Sequence, residues 1–508
     1  MELLQESRAV CLPQAVLDTV AEQLADVDVT LPDYCPDIEK ILKCTLTPKI
    51  QNRTLSGGQL QIEGCCVVNV MYLEGEKKTV RCCEQNVNWS QSFAVRDTPE
   101  NCVILTKTKS EYINCRALSP RRLVIHGAFS LYAKVIAPKK ITLYTPEDQD
   151  LELCRQPITC SALCSLCQEQ FTVSEEIAAG DKPAVESLLY SSVDASVTDV
   201  KAITGKLMLN GEISVRMFYL TDVETGQTAK TEYVVPFSQV LDCEGAEEES
   251  KNMIDCEVLS YDIRLKNDVL SEKPVIALDA KLCVTVEGHV QREEYVITDA
   301  YSTQFAVETE EDNISYIAGA EPVDESFIEK YSVKIDNCQI QKLLDVYSEH
   351  ITMDSQPTQE GLGVNGKINL CMMALDGDGT PVLIERSFDY SHTISAEGCN
   401  ALLMPKIRMA SVSYRLADGN SIELRCELKL TAGAVKNASR RTLRSVNVLR
   451  DKPLESDDCA LSLYFASQGE SLWRIAKEHR TRLSLLQAEN EAAADVLESD
   501  CMLLIPKI

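Results

Sequence analysis

One pattern recurs three times along the chain and limits what it can fold into. Leu60-Gln-Ile-Glu-Gly64 is followed eight residues later by Tyr72-Leu73, Leu207-Met-Leu-Asn-Gly211 by Tyr219-Leu220, and Leu362-Gly-Val-Asn-Gly366 by Ala374-Leu375. The offsets are 147 and 155 residues. Upstream, Ile38, Ile41 and Leu42 correspond to Val185, Leu188 and Leu189 and to Ile340, Leu343 and Leu344, with the last leucine always 18 residues before the next matched Leu. Self-similarity at this period means one small fold built three times. The i, i+3, i+4 spacing of each apolar triplet predicts a short helix packed on the sheet that follows. In the first copy the segment Pro32 to Pro36 would set its start.

The rest of each copy reads as strands. Gln59 to Tyr72 alternates around Leu60, Ile62, Val68 and Val70, with Gly64 at a bulge or bend, and its equivalents are Lys206 to Tyr219 and Gly361 to Ala374. The runs Glu74 to Lys78 and Asp376 to Gly379 suit hairpin turns. Later strands are Leu123 to Val135, Val275 to Val290 and Ser421 to Ala432. The expected fold class is mainly β: three repeated antiparallel β-rich domains with short helices, each a sandwich or two-layer unit, plus a small C-terminal α/β domain. Their expected bounds are 1–147, 148–312, 313–452 and 459–508. Weakly apolar stretches mark the joins: Thr145 to Asp150, then Glu308 to Asn313 with Ala320 to Asp324, then Asp451 to Asp458.

The C-terminal module changes period within a few residues. Leu461, Leu463 and Phe465 alternate as a strand, Leu472, Ile475, Ala476 and His479 follow a helical period, Leu483 to Glu489 fits a second helix, and Cys501 to Ile505 a closing strand. Ser471 stands where its hydroxyl would cap the first helix. Trp473 serves either the small core or, exposed, as an anchor for a partner.

Composition narrows the functions. With 50 basic against 78 acidic residues the net charge is −28, which repels nucleic acid and anionic membranes. No run reaches the 18 or so apolar residues of a membrane span. The start Met-Glu-Leu-Leu-Gln-Glu-Ser-Arg lacks the pattern of a signal peptide, so the expected location is the cytoplasm. There the 22 cysteines are expected as free thiols. Cys154, Cys160, Cys164 and Cys167 could supply four soft ligands to zinc, yet on a helix the last three would equally form a buried stripe, and redox cross-linking is a further reading; no metal or cofactor is expected. The five histidines, His126, His289, His350, His392 and His479, fit no catalytic motif, so no enzyme activity is expected.

The tail from Gln468 to Ala476, with Leu483, Leu486, Asn490 and Leu504-Ile505-Pro506, resembles the LysM family. Glu470 replaces the family's usual Asp, and Ser499-Asp500 its Gly-Gln turn. The resemblance implies a groove for peptidoglycan or another N-acetylglucosamine polymer, formed by Gly469, Glu470, Ser471 and Asn490, or a protein partner in its place. Leu31 to Leu42 and Gly64 to Tyr72 resemble the SPOCS domain of endospore-forming bacteria. The second copy is a weaker match, and the third is degenerate, with Cys338 for Pro36 and Ala374 for Tyr72. SPOCS-like units followed by a LysM-like module imply a spore coat scaffold in the mother-cell cytoplasm, at the forespore surface, whose tail contacts a coat morphogenetic ATPase. The expected partner-binding residues are Gly469, Glu470, Ser471, Trp473 and Asn490.

Overall fold

The computed structural model describes residues 9–507, apart from 97–100, 145, 147, 149, 179–181, 267–274, 336–338, 419, 455–458 and 492–494. It is mainly β, with small antiparallel sheets and only two helices among the described residues. In the first block β1 (Ala9–Thr30), β6 (Arg122–Thr142) and β5 (Val103–Ser119) form one sheet, in the order β1-β6-β5. Strands β2 (Ile38–Ser56), β3 (Gln59–Glu74) and β4 (Val80–Ala94) form another. The same order recurs in β7 (Leu151–Ala178), β12 (Val275–Ser302) and β11 (Lys251–Lys266), facing β8 (Ser187–Ile203), β9 (Lys206–Asp222) and β10 (Gln227–Asp242). The third block pairs β13 (Phe305–Lys334), β19 (Ser421–Pro453) and β18 (Ala401–Asp418). Opposite lie β14 (Ile340–Ile351) and β15 (Asp354–Pro357) on one side of β16 (Leu362–Asp376) and β17 (Pro381–Ile394) on the other.

Each sheet pair closes over its own apolar core. Leu60, Ile62, Val68 and Val70 of β3 meet Leu123, Ile125 and Phe129 of β6, and equivalent residues do so around Leu207 and Leu362. The repeated glycine has one cause in all three blocks. Gly64, Gly211 and Gly366 pair across the sheet with Trp89, Phe237 and Tyr390, and a Cβ on any of them would run into that aromatic ring and a neighbouring carbonyl.

The short helices expected at the apolar triplets are strands instead, and β-bulges account for the spacing. In β2, Ile41 pairs with Tyr72 and Lys43 with Met71, so Leu42 is the extra, unpaired residue. Leu189 between Leu188 and Tyr190, and Leu344 between Leu343 and Asp345, are skipped in the same way. A bulge adds one residue to the period of two, so positions three apart share a face. Ile340, Leu343 and Val346 accordingly line one core. The three bulge leucines point out of their own sandwiches and meet Met71, Phe218 and Met373 in a cluster shared by all three blocks.

Around that cluster β4 packs on β8, β10 on β14, and β17 on β2. The first block thus meets the second through β4, the second meets the third through β10, and the third meets the first through β17, so the three contacts run in a cycle. Polar groups fix the seams. Arg216 donates to the Asp345 carboxylate at 2.5 Å and the Val346 carbonyl at 2.6 Å, beside the stacked rings of Tyr190 and Tyr347. The Lys43 ammonium lies 2.7 Å from both Glu349 and Glu385. Residues 308–313 and 320–324, expected to join two copies, are instead part of β13. Cys338 lies outside the described residues.

Candidate interaction surface

The C-terminal module consists of β20 (Leu461–Ala466), α1 (Leu472–Glu478), α2 (Leu483–Glu489) and β21 (Cys501–Pro506), with the two strands antiparallel. Alternation divides its sheet into two faces. Ala466, Leu503 and Ile505 are buried against Leu472, Ile475, Ala476 and Leu486 of the helices. On the other face Leu461, Leu463, Phe465, Met502 and Leu504 are 50, 68, 62, 62 and 38% exposed. Leu463 pairs with Leu504 and Phe465 with Met502, so these side chains form one patch. The strand was legible from the alternation of Leu461, Leu463 and Phe465; that this face meets solvent was not.

The expected site residues fall into separate hydrogen-bond networks. Gly469, at φ +87°, has open space where a Cβ would stand, and its N–H donates to Leu497 at 2.9 Å. Glu470 accepts the Ser467 N–H at 2.8 Å and the Tyr464 hydroxyl at 3.2 Å. Ser471 occupies the N-cap position without capping through its side chain. Asp495 takes that role: its backbone carbonyl accepts the Leu472 N–H at 2.7 Å and its carboxylate the Trp473 N–H at 3.4 Å. Asn490 closes α2 by donating to the carbonyls of Leu486 and Leu504 at 2.8 and 2.7 Å and accepting the Leu504 N–H at 2.7 Å.

Trp473 is 9% exposed and sits in the seam between the module and the tip of β12. Its ring meets Tyr301 edge-on at 4.9 Å, and its indole N–H donates to Asp299 at 2.9 Å. Lys477 reaches the same carboxylate at 2.7 Å, and the Tyr301 hydroxyl donates to the Thr481 carbonyl at 2.8 Å. Burial alone would raise the Asp299 carboxyl, but Lys477 and the indole hold it below the ordinary carboxylate range. Sequence reasoning singled out neither Asp299 nor Tyr301, since both lie about 170 residues from the module.

The four cysteines considered as zinc ligands are spread along β7, not along a helix. Cys154 packs against the module, Cys160 in a cluster with Val10 and Val296, and Cys167 against the second core. Burial pushes the thiols of Cys154, Cys160 and Cys164 up, away from the thiolate a metal needs. Among the described residues, Glu349, Cys371 and Glu385 do come within ligand distance of one another, and the Lys43 ammonium, its pKa raised to about 12, already bridges the two carboxylates. His289 is buried and paired with Glu287 at 2.8 Å. Among the described residues no helix is long and apolar enough to cross a membrane.

Comparison with known families bears on the body of the chain. Residues 37–118 and 184–266 match the family model described as SipL, SPOCS domain. Part of this chain is SPOCS domain. The matches run from the start of β2 into β5 and from just before β8 through β11, so they cover four strands of each of the first two blocks. No curated protein and no solved structure matches the chain.

Proposed function

We propose that the chain is a non-enzymatic scaffold of endospore coat assembly, working in the mother-cell cytoplasm at the forespore surface, and that its LysM-like module docks on a coat morphogenetic ATPase. The carrying observation is the exposed face of β20 and β21. A solvated sheet face is ordinarily polar, and five large apolar side chains gathered there suit a surface covered by a partner. Exposed Glu498 and Asp500 precede β21, which favours a partner surface with an apolar centre and basic rim. The SPOCS matches support the sporulation context.

The alternative, binding of peptidoglycan or another N-acetylglucosamine polymer, has less support, because the Asn490 amide and the Glu470 carboxylate are engaged within the module. Binding of the full chain to the purified ATPase tests the reading. Leu463→Ser and Phe465→Ser are expected to lower affinity about tenfold or more each, as hot-spot side chains do, with the module still folded. Unchanged affinity in both variants, or saturable binding of N-acetylglucosamine oligomers lost in Asn490→Ala, refutes it.

A further inference from the structure

A cavity of about 480 Å³ opens where the three blocks meet, a size typical of small-molecule sites. Its apolar walls include Leu105 of the first block and Ile351, Met353, Met404 and Ile407 of the third. The second block supplies two carboxylates. On β11, Cys256 and Val258 face the second core, so alternation turns Asp255 and Glu257 the other way, into the cavity. Carboxylates among apolar groups need donors, and the neighbouring cations are largely engaged elsewhere. Arg53 Nη1 donates to the Ile104 carbonyl and the Thr106 hydroxyl at 2.9 and 2.7 Å, and reaches Glu257 only at 3.5 Å. Lys406 donates to the Cys256 carbonyl at 2.7 Å and lies 3.3 Å from Asp194. Lys134 pairs with Asp18 at 3.1 Å, and Lys107 is exposed. Among the described residues no hydrogen bond reaches the Asp255 carboxylate, on which Lys406 and Arg53 act through charge alone. One wall is also strained. Between the pairs Leu403–Gly433 and Lys406–Thr431, β18 carries Met404 and Pro405 against the single residue Ala432, and Met404 has φ +43°. Left-handed backbone is unfavourable for such a residue, and strain of this kind gathers at ligand sites.

We propose that this cavity binds a free aliphatic amine, its ammonium group at Asp255 and Glu257 and its hydrocarbon chain along the apolar walls. An ammonium brings three donors and a positive charge to carboxylates that are short of donors. A fatty acid would bring a like charge to them, and an alcohol no charge. The proton is the amine's competitor. Burial lifts the Glu257 carboxyl to about 7 despite Arg53 and Lys406, with Asp255 adding to the rise, and burial raises the Asp255 carboxyl as well. Below about pH 7 the Glu257 proton therefore supplies the counter-charge that the ammonium would supply. Amine binding tightens as pH rises from about 6 to about 8, a range in which the amine itself stays protonated.

The site is independent of what the C-terminal module binds. Calorimetric titration of the full-length chain with hexylamine tests it, with hexanol and hexanoate as controls. Hexylamine is expected to bind saturably at about pH 8 with a Kd of about 1 mM or below, and about tenfold more weakly at about pH 6. Hexanol and hexanoate are expected not to bind measurably. Asp255→Asn and Glu257→Gln are each expected to weaken hexylamine binding about tenfold at about pH 8, and Glu257→Gln to remove most of the pH dependence. The comparison of the three compounds on the wild-type chain decides the matter if either variant fails to fold. Absence of saturable hexylamine binding at about pH 8, equal binding of hexanol or hexanoate, or unchanged affinity in both variants overturns the proposal.

Discussion

Trp473→Ala separates a seam residue from a contact residue. The indole buries about 200 Å² of surface, and replacing such a ring by alanine in a packed site costs about 3–5 kcal/mol. The part owed to the body is smaller: about 1 kcal/mol for the edge-on contact with Tyr301 and about 2 kcal/mol for the indole hydrogen bond to the Asp299 carboxylate. Hydrogen exchange of the α1 amides, such as His479, which donates to Ile475 at 3.0 Å, reads the loss directly. A 3 kcal/mol weakening speeds exchange through opening by about 100-fold. Tyr301→Ala makes the control, because it leaves the module's own sequence intact. If Trp473 works through the seam, Tyr301→Ala also weakens partner binding, and the double variant shows a coupling of about 1 kcal/mol. Lost partner binding in Trp473→Ala with exchange unchanged, together with normal behaviour of Tyr301→Ala, would refute this account and place the indole in the partner interface.

Other perturbations test the ring and the sheets. Arg216→Met leaves Asp345, 1% exposed, with only Lys230 at 3.7 Å, and is expected to cost about 3 kcal/mol in urea denaturation. Much of that loss should return in Arg216→Met with Asp345→Asn, and a shift within about 0.5 kcal/mol for the single variant would show that the seam contributes little. Gly64→Ala drives a Cβ into the Lys49 carbonyl and the Trp89 ring, and a loss of about 2 kcal/mol or more is expected by thermal unfolding. Burial raises the Glu257 carboxyl to about 7 despite Arg53 and Lys406, with Asp255 adding to the rise. The folded chain therefore holds this proton to higher pH than the unfolded chain, and its contribution to stability falls as pH rises from about 4.5 to about 7. Glu257→Gln should flatten that part of the pH–stability profile; an unchanged slope would remove Glu257 as its source.

The local pattern located β3, β6, β9, β12, β16, β19 and both strands of the module, and the errors have definite causes. Runs such as Gln59 to Tyr72 and Ser421 to Ala432 alternate because one side faces a core. The triplets at Leu42, Leu189 and Leu344 imitate a helix because a bulge adds one residue to a period of two, and no composition signal marks that residue as extra. Cys160, Cys164 and Cys167 have a spacing that would share one face of a helix, yet they lie on a strand, as the free thiols expected of them. In the module, the order of strands and helices was readable to within a residue or two, as was the N-cap position of Ser471. Its partner Asp495 was not, nor were Asp299 and Tyr301, because contacts between distant segments leave no period in one sequence. Gly64, Gly211 and Gly366 signalled a shared constraint, and the aromatic lying over each explains it.

Closure of the ring sets a valency. A head-to-tail contact between similar units either propagates into a filament or returns to its start. Here β4 meets β8, β10 meets β14 and β17 meets β2, so the series of contacts returns to its start within a single chain. Each body presents one C-terminal module, seated on β12 with its apolar sheet face turned outward. A partner bound on that face would meet one such module per chain.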